Sequence, residues 1–144
     1  MPLYNSCLLL EDKVHLDIVG DSNFCLVATS NISIYPRGDI SEYEAKADLL
    51  VCILNNKGTQ IPGKVYHYAA TNKPILVILD GDNKEEMNKY LESFNRYIIC
   101  ENDVTSITSK INDIITNKCE YEPCEAYAPD TIARSFISMT ERLK

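Results

Sequence analysis

Short apolar runs, several of them β-branched, recur along the chain with helically spaced patterns between them. This alternation predicts successive βα units around a mainly parallel sheet. Strands are expected at Val14 to Val19 (VHLDIV), Ile32 to Tyr35 (ISIY), Leu49 to Leu54 (LLVCIL), Pro74 to Leu79 (PILVIL) and Tyr97 to Cys100 (YIIC). LLVCIL and PILVIL contain no polar position, as strands covered on both faces require. Between them, SEYEAKAD (Ser41 to Asp48) opens on a serine with Glu44 three residues later, a capping-box pattern in which Ser41 is the expected N-cap. GKVYHYAAT (Gly63 to Thr71) follows Pro62 and sets Val65, Tyr68 and Ala69 on one helical face.

Two longer helices are expected further on. DNKEEMNKYLESF (Asp82 to Phe94) aligns Met87, Tyr90, Leu91 and Phe94, and DVTSITSKINDIIT (Asp103 to Thr116) aligns Val104, Ile107, Ile111, Ile114 and Ile115. Asn117 to Pro129 has two prolines and no period, so it reads as an extended connection. A last helix, Asp130 to Leu143, carries Ile132, Phe136, Ile137 and Met139.

Length and composition narrow the class. A chain of 144 residues with 45% apolar content has the size and core of one α/β domain, 1–144. Six cysteines lie at positions 7, 25, 52, 100, 119 and 124, and Cys52 and Cys100 fall inside apolar runs, so they read as small buried hydrophobes in a reducing cytoplasm. Cys119 and Cys124 have no second pair of ligands at metal-binding spacing, and no metal is expected. The net charge of −7 makes nucleic acid an unfavourable partner. Acidic excess is concentrated late: residues 1–74 hold 6 basic and 8 acidic side chains, residues 75–144 hold 8 and 13, so an anionic ligand favours the earlier part. The stretch MPLYNSCLLLEDK has no basic n-region and only a short apolar run, so neither a signal peptide nor a membrane span is expected.

In parallel sheets ligands bind beyond the carboxyl ends of the strands, which directs attention to Gly20 to Asn23, Pro36 to Asp39, Asn55 to Gly63 and Asp80 to Asp82. The third loop, NNKGTQIPGK, places two glycines and a proline just before a helix, with Lys64 in its first turn. It is either a diphosphate cradle or a solvated turn with a surface lysine. His67 lies three residues on, on the same helical face as Lys64. His15 is the weaker histidine candidate. Arg37 could meet a phosphate or stack on a base, while Asp21 and Asp39, beside glycines, read as turn formers. No Ser, Cys or His arrangement has a nucleophile context and no paired carboxylates stand out, so no catalytic residue is assigned.

The series DIVGD (Asp17 to Asp21), ISIYPRGDIS, KADLLVCIL and GTQIPGKVYHYAATNKPILVIL resembles the C-terminal domain of the two-domain GT-B fold glycosyltransferases, of the group 1, family 4 kind. Ile61, Pro62, Gly63, Lys64, Tyr68, Ala70, Lys73, Pro74 and Ile75 match the motif that in that family follows the strand corresponding to ADLLV. The resemblance implies a Rossmann-like three-layer sandwich that lacks the usual first strand, and a donor site for a nucleotide-diphosphate sugar with no further cofactor. It gives Gly58, Thr59, Gln60, Ile61, Pro62, Gly63 and Lys64 to the diphosphate and sugar, His67 to the ribose, and Tyr35 to Gly38, with Arg37, to the base.

Three departures shape the expectation. His67 and Thr59 stand where the family places acidic residues, and the acceptor-binding domain is not represented. The chain is therefore expected to bind without turning over, and to need an acceptor domain or a second copy. Cys7 to Leu10 offers another way to replace the missing strand. A nucleoside deoxyribosyltransferase-like enzyme is an alternative, but its catalytic Glu has no counterpart between Gly58 and Pro74. A degenerate, non-catalytic interaction module is the other.

Overall fold

The computed structural model describes residues 1–21, 25–117 and 119–141, the side chains of Thr140 and Glu141 excepted. Ser22 and Asn23 of the first post-strand loop, Lys118 of the connection, and Arg142 and Leu143 of the last helix lie outside them. The chain is α/β and Rossmann-like in its alternation. Its described strands are β1 (Leu16–Val19), β2 (Ile32–Tyr35), β3 (Leu50–Ile53), β4 (Ile75–Leu79) and β5 (Ile98–Glu101). The helices are α1 (Pro2–Leu9), α2 (Ser41–Lys46), α3 (Gly63–Ala69), α4 (Lys84–Glu92), α5 (Val104–Thr116) and α6 (Pro129–Glu141).

The strands form two hydrogen-bonded sheets, β1-β2 and β3-β4-β5, instead of the single sheet expected. Both β1 with β2 and β3 with β4 pair in parallel. The chain divides into two compact units, residues 1–48 with 100–118, and residues 49–99 with 119–144, the boundary falling within β5.

In the first unit, Cys7 to Leu10 does not supply a strand. Cys7 to Leu9 close helix α1, which starts with Pro2 where a missing N–H costs nothing, and α1 packs on α5. Ser6, fully buried, puts its hydroxyl 3.0 Å from the Pro2 carbonyl and 3.1 Å from that of Val104. Helix α5 is capped by Asp103, whose carboxylate accepts the Ser106 N–H at 2.8 Å. Ile107 and Ile111 form its buried stripe. Buried Asn31 donates to the Cys7 carbonyl at 2.8 Å and to that of Val14 at 3.3 Å, tying the end of α1 to the start of β2.

The expected cap on α2 is corrected. Ser41 is its first helical residue, and both its N–H (2.9 Å) and its hydroxyl (2.6 Å) donate to Asp39, so the aspartate two residues earlier organises the turn. Those hydrogen bonds hold the Asp39 carboxyl below its usual range.

In the second unit β4 is the middle strand and every residue of it is buried, as its unbroken apolar run requires. Helix α3 buries Val65, Tyr68 and Ala69, the predicted face. Asn95, in the left-handed region at φ 47°, turns the chain after α4. The next residue is Arg96, only 7% exposed. Its Nη2 donates to the carbonyls of Thr71 (2.7 Å) and Lys73 (2.8 Å), and its Nε donates to that of Ala69 (3.3 Å). One side chain thus closes the end of α3 and the turn into β4.

The connection after α5 is extended, as expected, with one 3₁₀ turn at Glu125–Tyr127. It docks on this unit. The Cys124 N–H donates to the Ala69 carbonyl at 2.8 Å, the Arg96 guanidinium lies 5.6 Å from the Tyr121 ring centroid, and Tyr127 packs on Tyr66 (5.2 Å) and Phe94 (5.6 Å). Helix α6 follows, with Ile132, Phe136, Ile137 and Met139 all exposed.

Cys7, Cys52 and Cys100 are buried, whereas Cys25 and Cys119 are exposed. Burial pushes the Cys7 and Cys100 thiols up to about 11. Unfolding lowers both toward the ordinary thiol range, so above about pH 9 the unfolded chain holds fewer protons than the folded one. Stability is therefore expected to be insensitive to these thiols below about pH 8 and to fall between about pH 9 and 11. Urea midpoints measured across that range check the sign. Iodoacetamide should label Cys25 and Cys119 well before the buried three.

Candidate functional site

The richest post-strand loop is shaped by contacts within its own unit. Leaving β3, Asn55 donates from Nδ2 to the Gln60 carbonyl at 3.2 Å and closes the neck of the loop. Gly58 adopts φ 75°, a conformation glycine takes without steric cost. Its carbonyl accepts from Asn83 Nδ2 at 3.4 Å. Gly81, in the turn after β4, lies directly against Asn56. Among the described residues no backbone carbonyl accepts the N–H groups of Gly58, Thr59, Gln60 or Ile61. Gly58, Thr59 and Gln60 are exposed, and Ile61 and Pro62 half-buried.

Pro62 occupies the N-cap position, and α3 begins at Gly63 with no side chain capping it. With only 7 residues this helix adds a modest dipole. Lys64 is exposed, and its ammonium lies 5.5 Å from the ring centroid of Tyr68. His67 is also exposed, its ring 6.0 Å from that of Tyr68. Gly58 to Lys64 and His67 therefore all belong to the second unit, with Lys64 and His67 both beside Tyr68 on a short helix that Val65 and Tyr68 anchor.

Tyr35 and Arg37 belong to the first unit. Tyr35 ends β2 opposite Val19, its carbonyl accepts the Gly20 N–H at 3.1 Å, and its ring packs 4.8 Å from that of Tyr43. Arg37 reaches Asp21 at 3.8 Å, with side-chain exposures of 84% and 80%, a surface pair of little energetic weight. Asp39 forms a turn, as expected.

One polar cluster was not anticipated. His15 lies just before β1, not within it, and its Nε2 is 2.8 Å from Ser33 Oγ and 3.5 Å from Asp17 Oδ1. Serine and aspartate meet the same ring nitrogen. The aspartate therefore does not orient the imidazole from its far side, and the trio lacks the arrangement of a nucleophilic relay. Register explains the grouping, since Asp17 pairs with Ser33 across the two strands.

Among the described residues no group of three or more His, Cys, Asp and Glu is placed to hold a metal ion, and no helix is long and apolar enough to cross a membrane. Sequence reading missed Asn83 and the buried Arg96. Only the position of the Asp80 to Asp82 turn after a strand pointed toward the former. No family model matches the chain, and no curated protein or solved structure matches it.

Proposed function

We propose that the chain is the nucleotide-sugar-binding half of a glycosyltransferase, with the diphosphate of the donor received by the loop Gly58 to Lys64. The observation that carries this reading is a loop held by Asn55 and Asn83 whose consecutive N–H groups, Gly58 to Ile61, have no backbone acceptor among the described residues. Lys64 stands at its end. Backbone N–H groups and an ammonium together suit a phosphate oxygen, through charge-assisted hydrogen bonds and direct attraction. The resemblance supports the same residues and adds His67 for the ribose. The same donors stabilise a leaving diphosphate without a metal, and the acceptor-activating base comes from a partner domain.

Calorimetric titration with UDP-, GDP- and ADP-sugars tests the reading, with heat expected for one base class. Absence of heat with all of them, on a chain shown folded by circular dichroism, removes it. His67→Glu should tighten donor binding by about tenfold, because a carboxylate accepts from both ribose hydroxyls and a neutral imidazole from one. Equal or weaker binding would take the ribose away from position 67. A native chain that binds nothing while His67→Glu binds would instead favour a degenerate module kept for assembly.

A further inference from the structure

We propose that Thr59 and Ile61 supply the backbone N–H groups that meet the phosphates, and that Asn55, Asn83 and Gly81 are the positioning residues that aim them. The inference rests on the donor-binding reading and names its contacting atoms. Each grip on the loop acts on a carbonyl side: Asn83 holds the Gly58 oxygen at 3.4 Å, and Asn55 holds the Gln60 oxygen at 3.2 Å. A peptide unit is planar, and none of the described bonds is cis, so the N–H on the other side of each unit points the opposite way. The unit carrying the Gly58 carbonyl ends in the Thr59 N–H, and the unit carrying the Gln60 carbonyl ends in the Ile61 N–H. Both donors consequently face away from the asparagine side chains and lack a backbone acceptor among the described residues.

Gly81 makes this orientation possible. A Cβ there would lie 2.4 Å from the Asn56 oxygen, 2.6 Å from its carbonyl carbon and 2.8 Å from its Cα, so any side chain displaces that backbone. Its φ of 81° independently favours glycine. The turns after β3 and β4 can lie this close because their strands are parallel neighbours, Ile53 facing Ile78 at their ends.

The experiment is amide NMR of the whole chain titrated with inorganic pyrophosphate and with UDP, GDP and ADP, alongside the matching nucleosides. The largest shifts are expected at Thr59 and Ile61. Asn83→Ala should weaken pyrophosphate and diphosphate binding by about fivefold, the modest loss that suits a long hydrogen bond. Gly81→Ala should weaken it by about tenfold, because an alanine in the left-handed region leaves the competent loop a minor population. Nucleoside binding should be unchanged in both, which a general loss of structure would not allow. If the native chain binds the diphosphates but Thr59 and Ile61 do not move, or Asn83→Ala binds as tightly as the native chain, the positioning inference falls and the donor reading stands. If the native chain binds neither pyrophosphate nor any diphosphate, the donor reading falls and takes the inference with it.

Discussion

Replacing Arg96 by alanine is expected to lower the unfolding free energy by about 3–5 kcal/mol, a large fraction of a domain's usual margin. The reason is the number of groups one side chain satisfies. Thr71 and Lys73 would lose the donor that reaches their carbonyls, while Ala69 would keep the Cys124 N–H. The contact with the Tyr121 ring would go as well. Burial lowers the guanidinium's pKa, the mark of a desolvation cost that makes these hydrogen bonds necessary to the folded state. Arg96→Lys should recover less than half of the loss, because an ammonium lacks the planar fork that spans three carbonyls. Urea unfolding of the three proteins measures this directly. A loss below about 1 kcal/mol for Arg96→Ala would mean that water replaces the guanidinium easily and that the turn does not depend on it.

The second large effect is expected in β4. Ile75 and Leu76 point to opposite faces of the sheet, yet both are fully buried. Alanine at either position should cost about 2–5 kcal/mol through lost apolar burial and residual cavity. Ile53 on neighbouring β3 is 37% exposed, and Ile53→Ala should cost less than about 1.5 kcal/mol. Two equally costly faces are the energetic mark of a covered central strand. If Ile75→Ala or Leu76→Ala proved as mild as Ile53→Ala, one face of β4 would be open in solution.

Much of this architecture is legible in the residues. PILVIL, β-branched and bounded by a proline and a glycine turn, reads as a strand covered on both sides, and the spacing of Val65, Tyr68 and Ala69 places α3 correctly because the buried face of a helix repeats every three to four positions. Other features leave no such trace. Helix α1 runs into the apolar stretch Leu8, Leu9 and Leu10 without a clear period, so the sequence there does not distinguish helix from strand. Ser41 is the first helical residue of α2 and not its N-cap, because a local Asx turn at Asp39 competed successfully with the capping box. Periodicity also reports amphipathicity without reporting cover: α5 and α6 share the pattern, but Ile107 is buried and Phe136 is 67% exposed. In the candidate site the glycines and Lys64 could be read directly. Asn83 could not, because its bond to Gly58 joins residues 25 positions apart and depends on which strands are neighbours.

The division of the chain also governs the order in which it can fold during synthesis. Helix α1 leaves the ribosome early, but its partner α5 follows only after the whole middle segment, and Ser6 waits for Val104, 98 residues later. The middle segment likewise waits for Cys124 and Tyr127 before its α3 is fully covered. Both units are therefore completed late and by distant contacts, the kind of topology that slows folding. Nascent chains stalled before residue 100 should expose Leu3 and Cys7 of α1, so truncated products are the natural clients of chaperones and proteases.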